Sequence, residues 1–159
     1  MADTKLAAGS SRAISSGVAY QRCLNPTCGQ TFDVGEVKTA CDRCGDLLDI
    51  DYDWSRIAVP KRLAEFEQMW TQRHDPLRFS GVWRFHELLP FAPADKVVTV
   101  GEGQTLLQRA NEVAKFAGMD ADRLFLQYEG MNPSGSFKDN GMCAAFSHAH
   151  LTGAKRAAC

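Results

Sequence analysis

Lys138 is the residue in this sequence whose surroundings most suggest covalent chemistry. It lies in the segment NPSGSFKDNG (132–141), which leads into an apolar helical run. Ser134 or Ser136 can cap the first turn of that helix, and the positive end of the helix dipole disfavours a protonated amine. Phe137 would reduce the access of water. A neutral, partly desolvated lysine is the form that attacks an aldehyde.

A solvated lysine beside an acidic neighbour is the alternative interpretation of the same segment. Asp139 follows directly, and its carboxylate would stabilise the protonated amine if it turned towards Lys138. A single lysine in a turn rich in glycine and serine is a weak indication of function. The spacing of these residues alone therefore leaves both interpretations open.

Four cysteines arranged as two pairs give a second chemical signal. Cys23 and Cys28 enclose four residues, Cys41 and Cys44 enclose two, and a glycine follows each pair. Tight turns with glycine at a positive φ can bring four thiolates to about 2.3 Å from one zinc ion. We therefore predict a structural zinc site at these four residues. The alternative is four reduced cysteines in a module without metal.

The segment that contains these cysteines, residues 18–53, is predicted to be a small β module of the zinc-ribbon type. Its short alternating runs indicate antiparallel strands. The segment has three basic and seven acidic side chains, and four thiolates on one Zn²⁺ would add further negative charge. Such a surface repels phosphate backbones, so we expect a structural cap and no nucleic-acid partner.

The rest of the chain divides into two parts. Residues 54–95 contain a predicted helix, PKRLAEFEQMWTQR, with Pro60 in its first turn, followed by an aromatic and proline-rich connector. Residues 96–159 alternate strand, helix, strand, helix and strand, as KVVTV, LLQRANEVAKFAG, RLFLQYE, MCAAFSHAHL and AKRAAC. This order is typical of a parallel α/β sheet. Residues 1–17 are small and polar and are predicted to be a disordered tail.

The overall composition is that of a globular protein. The chain of 159 residues has 18 basic and 19 acidic side chains, and 45% of its residues are apolar. The balanced charge gives no reason to expect nucleic acid or an anionic membrane as a partner. No run reaches the roughly 18 apolar residues of a membrane helix, and the N-terminus lacks the apolar core of a signal peptide. We therefore expect a cytoplasmic protein with reduced cysteines.

Four segments, in this order along the chain, resemble one enzyme family. The cysteine ribbon comes first, as in some bacterial-type members, and GVWRFHELLP (81–90) is similar to the segment ahead of the catalytic domain. VGEGQTLL (100–107) resembles the entrance loop, and NPSGSFKDNG resembles the cofactor-lysine motif of fold type II pyridoxal-phosphate enzymes. The closest resemblance is to the threonine synthase family, from about residue 20 onwards. It implies an α/β, tryptophan-synthase-β-like domain with a parallel sheet.

The resemblance implies a role for individual residues. Lys138 would hold pyridoxal phosphate as a Schiff base and transfer protons while O-phospho-L-homoserine and water become L-threonine and phosphate. Phe137 would pack beneath the cofactor ring. Glu102 and Thr105 would lie near the substrate, although Glu102 could be a solvated loop charge and Thr105 a turn residue or helix cap. The residues that would shape the loop around the cofactor are Asn132, Ser134, Gly135 and Ser136.

Two departures from the family pattern bear on activity. Leu106 stands where the family usually has proline, so the entrance loop is expected to be less rigid. The sequence ends at Cys159, ahead of the Ser/Thr-Gly-Asn loop, the phosphate cradle and the pyridine partner that the family places further on. We therefore expect residues 96–159 to be a truncated catalytic domain, inactive alone, with a missing C-terminal half or a homo-oligomer as partner.

Two other functions fit the same residues. Another fold type II pyridoxal-phosphate enzyme, such as a cysteate synthase, would keep Lys138 and change the substrate. A zinc ribbon followed by a half-domain would also suit a non-enzymatic interaction module. The acidic surface of the ribbon is compatible with a protein partner in that case.

Overall fold

The N-terminal ribbon is a three-stranded antiparallel sheet in the computed structural model, which describes residues 17–158. Strand β1 (Ala19–Cys23) pairs with β2 (Thr31–Asp33) on one side and with β3 (Leu48–Tyr52) on the other. The predicted short antiparallel strands are thus confirmed. The predicted tail lies outside the described residues, except for its last member, residue 17.

The connector consists of short helices. A 3₁₀ turn, Trp54–Arg56, is followed by α1 (Leu63–Met69), α2 (Pro76–Phe79) and a kinked 3₁₀ segment, Trp83–Leu88. The predicted placement of Pro60 in the first helical turn is wrong. Helix α1 begins at Leu63 because the residue before it has an extended backbone, with φ −132° and ψ 141°.

The C-terminal part alternates short strands and helices. Its elements are β4 (Leu107–Arg109), α3 (Asn111–Phe116), β5 (Phe125–Gln127) and the long helix α4 (Lys138–Leu151). The run LLQRANEVAKFAG is only partly helical, which corrects the prediction. Its first residues form β4, which pairs antiparallel with β5, and the helix ends before Gly118, whose φ is +70°.

The predicted parallel sheet is not formed within residues 17–158, since both sheets there are antiparallel. The segment KVVTV has no neighbouring strand. Instead, Val98 N–H donates to Ser147 Oγ over 2.7 Å, and Val98 C=O accepts from Trp83 Nε1 over 3.0 Å. Side chains therefore satisfy the backbone groups that a sheet would have used. Residues 154–158 of the last predicted strand are also irregular.

One hydrophobic core joins the ribbon, the connector and α4. Residues of the ribbon, Ala19 and Val34, pack in it with Trp83 and Phe91 of the connector and with Cys143 and Leu151 of α4. The ribbon is connected to α4 by a further contact, in which His148 Nε2 lies 2.7 Å from the carbonyl oxygen of Val34. No helix within the described range combines the length and apolarity needed to cross a membrane. The ribbon is therefore packed directly on the helix that begins at Lys138.

Candidate functional site

Lys138 is the first residue of α4, which confirms the predicted position at the start of a helix. Ser136 Oγ accepts a hydrogen bond from the Lys138 backbone N–H over 3.2 Å, so Ser136 makes the predicted capping contact. The Asp139 carboxylate accepts from the Ser134 backbone N–H over 2.8 Å and also from the Ser134 hydroxyl. Gly135, with φ +78°, forms the turn between them. The first turn of α4 thus fixes the loop that precedes it.

A groove of about 940 Å³ lies along one side of α4. Lys138, Met142 and Phe146 recur every four residues and line it as one stripe of the helix. Phe137 is 63% exposed at the same groove, and Lys138 is exposed as well, so the prediction that Phe137 keeps water away from Lys138 is wrong. Asn140 also lines the groove, and its Oδ1 is a buried acceptor without a hydrogen-bond partner among the described residues.

Asn132 connects the lysine loop to the entrance loop. Its side chain is buried, and its Oδ1 accepts from the Gly103 backbone N–H over 2.8 Å. Its Nδ2 donates to the carboxylate of Glu129 over 2.9 Å, and Asn140 Nδ2 donates to the same oxygen over 3.2 Å. The structure therefore brings together two segments that the sequence separates by about thirty residues.

Glu102 is fully buried, so it is not the solvated loop charge considered as an alternative. Its carboxylate accepts from the hydroxyls of Ser80 and Thr99, the latter over 2.7 Å, and from the Val100 N–H over 3.1 Å. Burial opposes ionisation, but hydrogen bonds from Ser80, Cys143 and Thr99 outweigh it and hold the pKa of Glu102 below its ordinary value. Burial and the Glu102 carboxylate together raise the pKa of the Cys143 thiol to about 12.

Thr105 lies at the other end of the entrance loop and caps no helix, since the strand β4 follows it. Its Oγ1 accepts from Gln127 Nε2 over 2.8 Å and donates to Glu129 over 3.3 Å. Through Glu129, Thr105 is linked to the Asn132 side chain. Thr105 and Asn132 thus share one polar network, whereas Glu102 lies in a separate buried one.

Sequence reasoning missed several side chains of these networks. Ser80 and Thr99 donate to Glu102, Gln127 donates to Thr105, and Glu129 accepts from Asn132 and from Asn140. Asn140 lies inside the segment NPSGSFKDNG, and its place in that segment could have indicated that it belongs to the site. Ser80 and Glu129 carry no local pattern, because their partners are distant in sequence.

The entrance loop passes so close to the connector that two glycines are required. A Cβ on Gly81 would lie 2.5 Å from Gly103 Cα, and Gly81 N–H donates to the Glu102 carbonyl over 2.7 Å. We expect Gly81→Ala to lower the free energy of unfolding by about 1–3 kcal/mol, because the backbones must separate. Gly141→Ala is the matched control, since nothing lies within 4 Å of its added Cβ. Urea denaturation of both variants checks this prediction, and equal stabilities would contradict it.

The four predicted metal ligands converge at one end of the ribbon. Their sulfur atoms all lie within 4.8 Å of one another, with Cys23–Cys44 at 3.4 Å and Cys28–Cys41 at 3.8 Å. The glycines that follow the pairs have φ +59° and +76°, as the turn geometry requires. The arrangement can therefore hold one metal ion.

Burial and backbone N–H groups change the pKa values of the cysteine thiols. Burial opposes ionisation of Cys41, but the N–H groups of Arg43 and Cys44 outweigh it and lower the pKa of Cys41 to about 7. Burial raises the pKa of Cys23 to about 12. Thiolates are the form that binds metal, so these N–H groups favour the ligand state of Cys41.

Comparison with known proteins identifies related enzymes. The chain is 37% identical over 139 residues to a threonine synthase of Methanocaldococcus jannaschii, which covers 87% of this chain and 31% of that protein. It is 34% identical over 140 residues to a threonine synthase of Methanosarcina acetivorans, covering 88% of this chain and 30% of the relative.

A shorter match, 45% identical over 75 residues, links 47% of the chain to 19% of a threonine synthase from Synechocystis. No protein-family model matches the sequence. The chain spans about a third or less of the length of the curated relatives that it matches. The chain thus resembles threonine synthases over most of its own length, and the shares that are covered are consistent with an N-terminal portion of those proteins.

Proposed function

We propose that this chain is the part of a threonine synthase that carries the cofactor lysine. The observation that supports the proposal most directly is the position of Lys138, the first residue of α4, in the wall of an open groove. The groove volume of about 940 Å³ is within the range of ligand pockets, roughly 300–1,000 Å³. Four relatives named threonine synthase make this reaction class the best-supported one.

The residues around the groove suit pyridoxal phosphate. The cofactor, when bound, supplies an electron sink for carbanion chemistry. Lys138 Nζ would hold it and later move protons, while Phe137 provides an aromatic surface for its ring. Three loop residues, Ser134, Gly135 and Ser136, would shape the loop around it, and the buried Asn132 holds that loop in place. Asn140 lines the groove as well, and its Oδ1 is a buried acceptor without a hydrogen-bond partner within residues 17–158.

The proposed substrate is O-phospho-L-homoserine, and the proposed products are L-threonine and phosphate. Thr105 is the proposed substrate-side residue of the entrance loop, because it is only partly buried and its hydroxyl already belongs to the Asn132 network. Glu102 lies in the same loop near the proposed substrate site. Its carboxylate is fully enclosed, so it would contribute through the shape of the loop.

The groove is open, and this limits what the chain does alone. Lys138 is exposed and Phe137 is 63% exposed, whereas carbanion chemistry needs a site from which water is excluded. We therefore expect cofactor attachment without turnover of substrate by this chain alone. A C-terminal portion of the enzyme, or a second copy of the chain, would have to cover the groove.

Zinc is the metal proposed for the cysteine cluster. Four sulfurs at about 2.3 Å from a tetrahedral zinc ion lie about 3.8 Å from one another. The observed distances, 3.4 Å for Cys23–Cys44 and 3.8 Å for Cys28–Cys41, fit that arrangement. All four positions are occupied by protein ligands, which is typical of structural rather than catalytic zinc.

Cofactor attachment is the first test. The purified chain is incubated with pyridoxal phosphate, reduced with borohydride and digested, and the modified peptides are identified by mass spectrometry. We expect the modification on Lys138, none at that position in Lys138→Ala, and wild-type behaviour in Lys115→Ala, which alters an exposed lysine of α3. Modification spread evenly over surface lysines would overturn the proposal and favour an interaction module.

The reaction is tested separately by phosphate release. We expect no release from O-phospho-L-homoserine by the chain alone, since the groove is open. Addition of the remaining portion of a threonine synthase as a second polypeptide is expected to give release that depends on Lys138. Release only from other O-phospho amino acids would point to a different enzyme of fold type II.

A further inference from the structure

We propose that Glu102 is a positioning residue, whose buried carboxylate holds the helix carrying Lys138 against the entrance loop and the connector. The inference rests on the proposed function of Lys138 and deepens it. Three segments that are distant in sequence meet at this one side chain. Ser80 of the connector donates to the carboxylate, as do Thr99 and Val100, where the entrance loop begins. The third segment is α4, in which the Glu102 carboxylate raises the pKa of the Cys143 thiol.

The contacts use both oxygens of the Glu102 carboxylate. Oε1 accepts from the Ser80 hydroxyl, and Oε2 accepts from Thr99 Oγ1 over 2.7 Å and from the Val100 N–H over 3.1 Å. The oxygen of Ser80 in turn accepts from the Trp83 N–H over 2.8 Å. One carboxylate therefore organises the start of the connector's 3₁₀ segment as well as the loop.

Glu102 has no ion-pair partner in the part of the chain that the structure describes. A buried carboxylate without a cation is costly unless several donors surround it. The donors around Glu102 offset that cost only while the three segments keep their places. Displacement of any one donor would leave the buried charge less well stabilised. The Glu102 carboxylate therefore favours the one arrangement of the segments in which all its donors are in place.

The lysine loop is held on both sides of Lys138. On one side, Asn132 Oδ1 accepts from the N–H of Gly103, the residue after Glu102. On the other side, Val98, two residues before the entrance loop, donates its N–H to Ser147 Oγ of α4 over 2.7 Å. The Glu102 carboxylate also helps to raise the pKa of Cys143, which lies five residues after Lys138. Five residues are roughly one and a half helical turns. The Glu102 loop therefore determines where Lys138 stands relative to the groove without touching it.

Hydrogen exchange measures this role directly. In the full chain we expect Glu102→Gln to accelerate exchange of the amides at 140–144 by about tenfold or more, because hydrogen bonds to a charged acceptor are lost. The exchange of β1–β3 in the ribbon should change much less. Glu112→Gln, which alters an exposed glutamate of α3, is the matched control and should leave both regions unchanged.

A second pair of variants changes Cys143, the residue of α4 that faces Glu102. Cys143→Ser keeps a hydrogen-bond donor towards Glu102, whereas Cys143→Ala removes it. We expect the alanine variant to accelerate exchange at the start of α4 and the serine variant to restore most of the protection. Because these changes leave Glu102 in place, they decide the question even if the Glu102 variants fail to fold.

The effect of Glu102 on Lys138 itself is measured by the attachment of pyridoxal phosphate to that lysine. We expect Glu102→Gln to weaken attachment of pyridoxal phosphate at Lys138 by several-fold relative to Glu112→Gln. Exchange and attachment unchanged in Glu102→Gln would overturn the positioning role, and so would acceleration of exchange equally throughout the chain. Absence of attachment in the wild-type chain would instead refute the proposed function, while the exchange data would still report on Glu102.

Discussion

Removal of the proposed metal ion from the four-cysteine cluster is expected to unfold the ribbon completely. Apart from cysteines, the buried apolar residues of the ribbon are only Ala19 and Val34, which are too few to stabilise three short strands. Structural zinc in small modules contributes about 10–16 kcal/mol at neutral pH. We therefore expect amide protection in β1–β3 to be lost on chelation and in Cys41→Ser.

The loss should extend to α4, because the ribbon and the helix share one core. Val34 is fully buried, its carbonyl lies 2.7 Å from His148 Nε2, and it packs in the cluster that contains Cys143 and Leu151. Unfolding of the ribbon would expose this face of α4 to water. We therefore expect faster hydrogen exchange in α4 when the metal is removed. We also expect weaker cofactor attachment at Lys138, the first residue of that helix.

The measurement follows metal content and hydrogen exchange together during titration with a chelator. Cys143→Ser is the control for cysteine chemistry, since Cys143 lies outside the cluster, and it should retain one metal ion per chain. The matched pair His148→Ala and His150→Ala tests the coupling, because only His148 contacts the ribbon. Full protection of α4 after metal release would show that the helix does not depend on the ribbon.

Local chemistry was readable from the sequence. The spacing of the four cysteines and the glycines behind them predicted their convergence, because tight turns act within a few residues. The start of α4 at Lys138 was also predicted, since Ser136 and the apolar run after Lys138 are local signals. These features depend on backbone preferences that neighbouring residues determine.

Long-range contacts were not readable in the same way. The segment KVVTV (96–100) suggested a strand, yet Ser147 and Trp83 take the hydrogen bonds of Val98. Leu107–Arg109 looked helical, but it pairs with β5 and forms a strand. The burial of Glu102 depends on Ser80, twenty-two residues earlier, and no local pattern indicates it. Tertiary context decided each of these outcomes against local propensity.

Trp83→Ala is expected to be among the most destabilising single substitutions in the chain. Trp83 is fully buried, and its ring centroid lies 5.7 Å from that of Phe91 in the shared core. Replacing a buried aromatic residue with alanine costs about 3–5 kcal/mol, a large fraction of the typical stability of a domain. Thermal and urea denaturation should therefore show a chain that is largely unfolded or much less stable than the wild type.

Trp83→Phe separates packing from hydrogen bonding. Phenylalanine keeps most of the ring but removes Nε1–H, the donor to the Val98 carbonyl, so we expect a loss of about 1–3 kcal/mol. Trp54→Phe is the matched control, because Trp54 is 47% exposed, and it should change stability little. Equal effects of the two phenylalanine substitutions would contradict the assignment. Val98 also lines the groove beside Lys138, so this hydrogen bond connects the stability of the connector to the shape of the proposed cofactor site.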